Sequence, residues 1–303
     1  MQGLVVSGSN NVFKVACEDG VERLCTIKGK VLEQETKYHN PLAPGDFVQL
    51  EPASHDEAQI LTLMPRKNFF ARFNEKTASP QILAANVDLV LCMTTPDTPP
   101  FRPVFVDRIL VQAASQHIPV AIVLNKIDLT LTEKVRAHIS EWRRLHYPVY
   151  QISARSGEGI PELIKIFTGK TVCIIGQSGV GKSSLLNDLA PALQVMTGKV
   201  SEKYNKGSHT TTRGALYRIT TAASEETVSF NIIDTPGIKN FSLCGIAKDE
   251  VACYFPEMVT ALGKCKFGLS CSHKSEPGCE VLRRIQSGEI SPLRYESWLN
   301  MTE

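Results

Sequence analysis

The sequence of 303 residues has no apolar run of the roughly 18 residues needed to cross a bilayer, and it does not begin with the basic and apolar regions of a secretion signal. It contains neither internal repeats nor low-complexity tracts. Its nine cysteines form an odd, scattered set, which is not typical of a disulfide framework. We therefore expect a cytoplasmic protein that contacts no membrane, and the length allows two or three domains. We also expect a monomer.

The chain also has no large excess of one charge sign, since it contains 33 Lys and Arg residues and 31 Asp and Glu residues. Residues 1–65 carry five basic and nine acidic side chains, residues 66–242 carry 21 and 14, and residues 243–303 carry seven and eight. These totals do not show the strongly basic domain that is typical of nucleic-acid binding.

Residues 1–65 contain five short β-type runs separated by turn residues, which predict a small β-barrel such as an OB-fold. An unspecified β-domain remains the alternative. The predicted strands are 4–6, 12–15, 23–27, 46–50 and 59–63.

Residues 66–242 change to near-continuous apolar strands that alternate with helices, a pattern that predicts an α/β domain with a parallel sheet covered on both faces. The polar stretch 194–213 is expected to be a loop. Residues 243–303 are expected to form a mostly helical third domain around a Cys/His-rich loop. The predicted strands are 87–93, 120–124, 149–152, 171–175, 215–220 and 228–233, and the predicted helices are 105–116, 132–144 and 161–167.

The stretch GQSGVGKS at 176–183 matches the phosphate-binding P-loop pattern in full, and it lies between a strand and a helix as the motif requires. Its glycines let successive backbone N–H groups surround the phosphates, beside the positive end of the helix dipole. Lys182 would reach the β- and γ-phosphates, and the Ser183 hydroxyl would bind Mg²⁺. The predicted phosphate-binding residues are Gly176, Gln177, Ser178, Gly179, Val180, Gly181, Lys182, Ser183 and Ser184.

The motif NKID at 125–128 ends an apolar strand, at the edge where open α/β sheets bind ligands. The Asp128 carboxylate can accept hydrogen bonds from the guanine N1–H and exocyclic amine, whereas adenine would leave it unpaired. Lys126 would lie along the base plane, Asn125 would brace the loop, and residues 153–154 would place a backbone N–H at the guanine O6. The predicted guanine-binding residues are Asn125, Lys126, Ile127, Asp128, Ser153 and Ala154.

The motif DTPG at 234–237 ends another apolar strand and has the form of a γ-phosphate-sensing DxxG loop. Asp234 would hold Mg²⁺ through water, and the Gly237 N–H would contact the γ-phosphate. The Mg²⁺ shell would be completed by the hydroxyl of Thr211 or Thr212, between which the sequence does not decide. The guanine loop precedes the P-loop by about fifty residues, which reverses the usual order of a GTPase.

The residue after DxxG is Ile238, where Ras-like GTPases carry a glutamine that orients the attacking water. Isoleucine can neither donate nor accept a hydrogen bond, so another group must position the water. His209 is the candidate, because imidazole can orient water or accept a proton near neutral pH. The alternative is an ordinary surface histidine.

Three cysteines and one histidine lie within fifteen residues near the end of the chain. This ligand set is typical of a closed, tetrahedral structural zinc site, and the alternative is a group of buried or free cysteines. The predicted zinc ligands are Cys265, Cys271, His273 and Cys279.

Together these motifs resemble the circularly permuted, ribosome small-subunit-dependent GTPases of the RsgA (YjeQ) family, over essentially the whole chain. The resemblance rests on GQSGVGKSSL, the HTTT run at 209–212, DTPG and the Cys-x-His…Pro-Gly-Cys ending. It implies a factor that binds the small (30S) subunit and its rRNA late in assembly, with GTP hydrolysis stimulated by the subunit. It also implies that His209 is catalytic and that one zinc ion is bound, in addition to Mg²⁺ with GTP. The spacing from Cys265 to Cys271 is one residue longer than is expected for the family.

A GTP-gated zinc metallochaperone is the alternative function, although closed Cys₃His coordination argues against metal delivery. A P-loop kinase is disfavoured by the guanine loop and the DTPG motif. The permuted order places the γ-phosphate sensor a few residues before the zinc domain, which suggests that hydrolysis moves residues 243–303 against the core.

Overall fold

The computed structural model describes residues 1–9, 11–29, 32, 38–191, 214–223 and 226–303. Within these ranges, no helix combines the length and the apolar character that a membrane span requires.

The first five strands close into a barrel in the order β1-β2-β3-β5-β4, with β4 pairing back to β1. The β3–β5 pairing is parallel and the others are antiparallel, which is an OB-type Greek key, so the predicted barrel is confirmed. Alternate side chains of β2 to β5 point into its core, as the period of two requires. The strands are β1 (Gln2–Ser9), β2 (Val12–Cys17), β3 (Glu22–Ile27), β4 (Phe47–Pro52) and β5 (Glu57–Leu63).

A separate two-stranded hairpin follows the barrel, formed by β6 (Phe69–Asn74) and β7 (Ser79–Ala85). The sequence patterns above assign no element to this stretch. Pro80 within β7 weakens the strand signal, because proline cannot donate to a sheet ladder.

The central domain is a sheet with the order β10-β9-β8-β11-β13-β12, in which only β12 is antiparallel to its neighbour. The predicted parallel α/β architecture is therefore confirmed. Among the described residues, one pairing, Ser7 with Ala215, joins β1 of the barrel to β12 at the edge of this sheet. The strands are β8 (Leu89–Thr94), β9 (Val120–Asn125), β10 (Val149–Ile152), β11 (Thr171–Gly176), β12 (Ala215–Ala223) and β13 (Glu226–Asp234).

Helices cover both faces of this sheet, because its central strands are apolar on both sides. Helix α1 contributes to the core on one face, and α3 and α4 contribute to the core on the other. The carboxyl ends of the parallel strands meet at one edge and bring the polar motifs to it. The helices are α1 (Pro103–Ala114), α2 (Glu133–Arg144), α3 (Ile160–Lys165) and α4 (Lys182–Leu189).

The C-terminal region packs short helices around the Cys/His cluster and against α1, whose Val111 belongs to the same core. A buried ion-pair triad fixes this contact: Arg294 on α7 pairs with Asp107 on α1 and, at 2.7 Å, with Glu257 on α5. The predicted C-terminal fold of helices around the Cys/His cluster is confirmed, although its helical content is modest. Its helices are α5 (Pro256–Val259), α6 (Glu280–Gln286) and α7 (Pro292–Thr302), with 3-10 turns at Val251–Tyr254 and Gly268–Ser270.

Candidate functional site

The P-loop connects β11 to α4, with the Val180 side chain anchored in the core and residues 178–179 exposed. Gly181 has φ of +98°, and a Cβ there would collide with the Asn125 side chain. Ser183 is half-buried at the start of α4 and Ser184 is exposed. The loop therefore presents its backbone at the edge of the sheet, where phosphates would bind.

Lys182 lies folded over this loop. Its Nζ donates hydrogen bonds to the carbonyl oxygens of Gly176 at 3.1 Å and Gln177 at 3.3 Å. Burial lowers the pKa of Lys182, while the nearby Asp234 carboxylate opposes that change. A buried ammonium with no hydrogen bond to an anion among the described residues gains strongly from a phosphate at this position.

Asn125 is the residue that joins the separate motifs. Its side chain is 2 % exposed, its Nδ2 donates to the Val180 carbonyl at 2.8 Å, and its Oδ1 accepts from the Ala154 N–H at 2.9 Å. One side chain thus fixes the relative positions of the guanine loop, the P-loop and the loop after β10. A donor and an acceptor on one short side chain, in one buried and one partly buried hydrogen bond, are specific to the asparagine amide.

The other guanine-loop residues lie around the same position. Lys126 has φ of +65°, and its Nζ donates to the carbonyl oxygens of Thr98 at 2.6 Å and Gly179 at 2.9 Å. Asp128 Oδ1 accepts from the Ser153 hydroxyl at 3.1 Å. The half-buried Ile127 packs against the small core that contains Leu124. The structure therefore brings all six predicted guanine-loop residues together.

The DTPG loop touches the P-loop directly. A Cβ on Gly237 would lie 2.8 Å from Ser178 Cα, so only glycine fits at this contact. The Ile238 N–H donates to the Gly176 carbonyl at 3.2 Å, and the Ile238 side chain is buried in the core. Ile238 therefore points away from the phosphate position, so no side chain at this point of the loop can orient a water.

Asp234 is suited to a divalent cation. Its side chain is 2 % exposed, and Oδ1 has no hydrogen-bond partner among the described residues. Burial raises the pKa of this carboxyl to about 6, although Lys182 acts in the opposite direction. A buried carboxylate oxygen without a partner is costly, and Mg²⁺ with its waters would satisfy it.

The turn after β8 forms a further wall of the site that the sequence patterns did not identify. The Thr98 carbonyl binds the Lys126 ammonium, and Pro99 lies 3.8 Å from the Cβ position of Gly179. Thr95 Oγ1 donates to the Pro99 carbonyl at 2.8 Å and shapes the turn. The sequence could have indicated this turn, because it follows a parallel strand at the edge of the sheet where ligands bind. The predicted residues His209, Thr211 and Thr212 lie outside the described residues.

The four predicted zinc ligands form one buried cluster whose ligand atoms all lie within 4.8 Å of one another. His273 Nδ1 is 3.5 Å from the sulfurs of Cys265 and Cys279, which are 3.9 Å apart. Tetrahedral zinc with standard bond lengths would set sulfur–nitrogen pairs about 3.6 Å apart and sulfur–sulfur pairs about 3.8 Å apart. The donor set therefore fits zinc, and Cys265 lies with the others despite its longer spacing.

Hydrogen bonds around the cluster orient it further. The Glu280 N–H donates to Cys265 Sγ at 3.3 Å, and the Tyr295 hydroxyl donates to the His273 carbonyl at 2.8 Å. The Glu276 carboxylate accepts N–H bonds from the ligand loop, including one from Ser272 at 2.8 Å. Hydrogen bonding, from the Ser272 side chain foremost and from backbone N–H groups of the loop, lowers the pKa of Glu276 to about 2. Such outer contacts are typical of metal sites.

Comparisons with known proteins find related GTPases. The family model matches the central part of the chain, and the individual relatives match its full length. A family model for the RsgA GTPase matches residues 63–244. The chain is 36% identical to the small ribosomal subunit biogenesis GTPase RsgA of Porphyromonas gingivalis and to RsgA 2 of Bacteroides thetaiotaomicron, over 100% of this chain and 96% of each relative.

Two solved structures are similar in fold. The crystal structure of YjeQ from Thermotoga maritima superposes with a TM-score of 0.73 at 30% identity, covering 99% of this chain and 96% of that one. The structure of YloQ, a circularly permuted GTPase, gives a TM-score of 0.68 at 24% identity, covering 99% and 93%.

Proposed function

The chain belongs to the RsgA GTPase family, and from this membership we propose that it binds the small ribosomal subunit, assists its late maturation and hydrolyses GTP to GDP and phosphate with stimulation by the subunit. The proposal places it in the cytoplasm as a monomer. It divides the chain into a barrel at 1–65, a GTPase domain at 66–242 and a zinc domain at 243–303.

The observation that carries this proposal is the position of Asn125, whose amide bonds to the P-loop and to the loop after β10. Three motifs far apart in sequence thereby share one edge of the sheet. Guanine would lie between the Lys126 stem and the backbone N–H at Ala154, with its N1–H and amine on Asp128. The phosphates would lie on residues 176–184, and Lys182 would turn from the loop carbonyls to the β- and γ-phosphates.

Magnesium would be held by Ser183 and either Thr211 or Thr212, with Asp234 acting through water. The ion would neutralise charge on the β- and γ-phosphate oxygens. Ionisation of Asp234, whose pKa is raised by burial, becomes favourable when this cation is near. The Gly237 N–H would contact the γ-phosphate, where the absence of a side chain allows close approach.

Hydrolysis requires a water in line with the γ-phosphate, and we assign its orientation to His209. The support is the burial of Ile238, which removes the position used by Ras-like enzymes. Imidazole can accept the hydrogen bond of that water near neutral pH.

The zinc site would be structural, held by Cys265, Cys271, His273 and Cys279. All four ligands are buried, which supports a closed site over the zinc-delivery alternative. When bound, zinc supplies a cross-link among residues that are otherwise held by short helices and turns.

GTP turnover tests the proposed function directly. The rate is measured with and without purified small ribosomal subunits, with large subunits as the control. We expect a slow rate alone, a large increase with small subunits, and none with large subunits. An unchanged rate with small subunits would remove the ribosomal function and leave only the nucleotide chemistry.

A further inference from the structure

An open cleft of about 320 Å³ lies between helices α1, α2 and α7 and the segment that follows the DTPG loop. Residues 239–241 line it, and they begin two positions after Gly237. Of the proposed nucleotide-binding and zinc-binding residues that the structure describes, none lines the cleft. Any ligand there would contact the chain directly after the γ-phosphate sensor while leaving the GTP site free.

The cleft is lined by four cationic side chains and one carboxylate, Glu296. None of the four has an ion pair within the parts of the chain that the structure describes. Two make hydrogen bonds across the cleft: Arg102 to the Lys239 carbonyl at 3.3 Å and Arg108 to Asn300 Oδ1 at 2.9 Å. The four cations outnumber the one carboxylate of the lining, and such an excess of positive charge attracts an anion. The four cations are Arg102, Arg108, Lys134 and Lys239.

Two buried polar side chains also line the cleft. His138 is 4 % exposed, and its Nδ1 bonds to the Lys134 carbonyl at 2.8 Å. The side chain of Ser297, which is 1 % exposed, lies on the same wall. An imidazole and a hydroxyl can both form hydrogen bonds, so a ligand with several oxygens is chemically compatible with this wall.

We propose that this cleft binds backbone phosphates of the RNA in the small ribosomal subunit. The inference rests on the proposed function, which supplies a partner rich in phosphate. Arginine guanidinium groups match phosphate oxygens in geometry, and a phosphate can accept from several donors at once. Consecutive phosphates on one RNA strand would contact the cations of α1 and of α2 at the same time, which a single free phosphate ion cannot do.

The cleft also connects RNA binding to the nucleotide site. Because Arg102 holds the carbonyl of Lys239, a phosphate bound between these residues would restrain the segment after Gly237. That segment continues from the DTPG loop without interruption. RNA in the cleft would therefore fix the γ-phosphate sensor in one conformation, which is a physical route to stimulation by the subunit.

Charge reversal on the two exposed lysines tests this assignment. We compare Lys134→Glu and Lys239→Glu with Lys165→Glu, an exposed lysine on α3 at the other face of the sheet. Affinity for intact small subunits and for protein-free small-subunit RNA is measured at several salt concentrations, and thermal unfolding confirms that each variant folds. Each cleft variant should bind both partners about tenfold more weakly and show a salt slope reduced by about 1. The control should match the wild type.

Cleft variants that bind like Lys165→Glu, with the same salt slope, would overturn the assignment. Weaker binding to subunits with unchanged binding to free RNA would also overturn it, because the cleft would then contact a ribosomal protein. A wild-type protein that binds no small subunits would contradict the proposed function instead, and the free-RNA measurement would still decide whether the cleft binds RNA.

Discussion

At the scale of single residues, Asn125 determines whether the site assembles. Its amide is buried and satisfies both a carbonyl of the P-loop and the N–H of Ala154. An aliphatic side chain at this position would fill the space but would leave both backbone groups without a partner. The sequence motif predicted a bracing role for this residue, but the identity of its partners depends on the tertiary fold.

Replacing Asn125 by alanine should weaken the binding of GTP and GDP by at least about tenfold, because two hydrogen bonds worth roughly 1 kcal/mol each are lost and their backbone partners are left unpaired. Nucleotide affinity measured by titration checks this. Asn231→Ala is the control, since its side chain makes a long bond of 3.4 Å to Thr171 Oγ1. Equal affinities in the two variants would contradict the role of Asn125.

His209→Ala should lower subunit-stimulated GTP turnover by about 10²-fold or more, because the attacking water loses the group that orients it. GTP affinity should stay nearly the same, since no base or phosphate contact is removed. The measurement is stimulated turnover alongside nucleotide titration. The exposed His55 in the barrel provides a His→Ala control. Full stimulated turnover in His209→Ala would refute the assignment.

At the scale of elements, the segment from Ile238 to Cys244 is anchored along its length. Phe241 packs against Phe70 of β6, and Ser242 Oγ donates to Glu75 at the hairpin turn at 2.6 Å. The Cys244 N–H donates to Gln112 on α1 at 2.7 Å. The DTPG loop is thus followed by a connection held between the hairpin and α1.

The zinc loop illustrates how a spacing can mislead. The extra residue between Cys265 and Cys271 made Cys265 the least regular of the predicted ligands. In the structure this length is taken up by the 3-10 turn Gly268–Ser270, and Cys265 still lies beside His273. The ligand types were sufficient to predict the cluster. Metal binding depends on where the three sulfurs and the histidine nitrogen lie, and loops of different length can bring them to the same positions.

Cys265→Ser should abolish stoichiometric zinc binding and unfold the C-terminal region, because one of four ligands is lost from a site that stabilises short helices. Zinc content and near-UV circular dichroism check this. Cys253→Ser, at an exposed cysteine of the same region, should retain both. A Cys265→Ser protein that keeps one zinc and a native spectrum would exclude Cys265 as a ligand.

At the scale of the whole molecule, the pattern of strands predicted the three architectures, and the residues that the local motifs named in the described ranges lie together at one edge of the sheet. The pattern and the motifs did not predict how the parts are joined. Asp107 and Arg294 are distant in sequence, and only the fold brings them into an ion pair beside Trp142. The hairpin β6–β7 was also missed, because its short strands and Pro80 give a weak pattern.

The buried triad of Arg294, Asp107 and Glu257 should fasten the C-terminal region to α1. Arg294→Ala should destabilise this contact by about 3–5 kcal/mol, because two carboxylates remain buried without their partner. Denaturant unfolding and hydrogen exchange of α7 measure this. Arg283→Ala removes an exposed pair and should cost at most about 1 kcal/mol. Similar costs in both variants would show that the triad does not fasten the domains.

Circular permutation brings this fastened region next to the DTPG loop, the proposed γ-phosphate sensor. The hypothesis that hydrolysis moves residues 243–303 then has a defined requirement: the new position must preserve or replace the triad. Alternatively, hydrolysis could change the conformation of residues 238–244 and the hairpin and α1 that they contact. This smaller movement would leave the triad intact. Identical orientations of the zinc domain with a GTP analogue and with GDP would argue against any such movement.

The central claim is that motifs in permuted order assemble one guanine-specific site, and nucleotide selection by Asp128→Asn tests it most directly. Competition among GTP, XTP and ATP is measured for the wild type and the variant. The wild type should prefer GTP over ATP by at least about 10³-fold, because adenine leaves the carboxylate unpaired. The variant should lose GTP affinity and gain XTP affinity, since an amide N–H can pair with the xanthine 2-oxo group. Equal competition by ATP in the wild type, or unchanged GTP preference in the variant, would contradict the account.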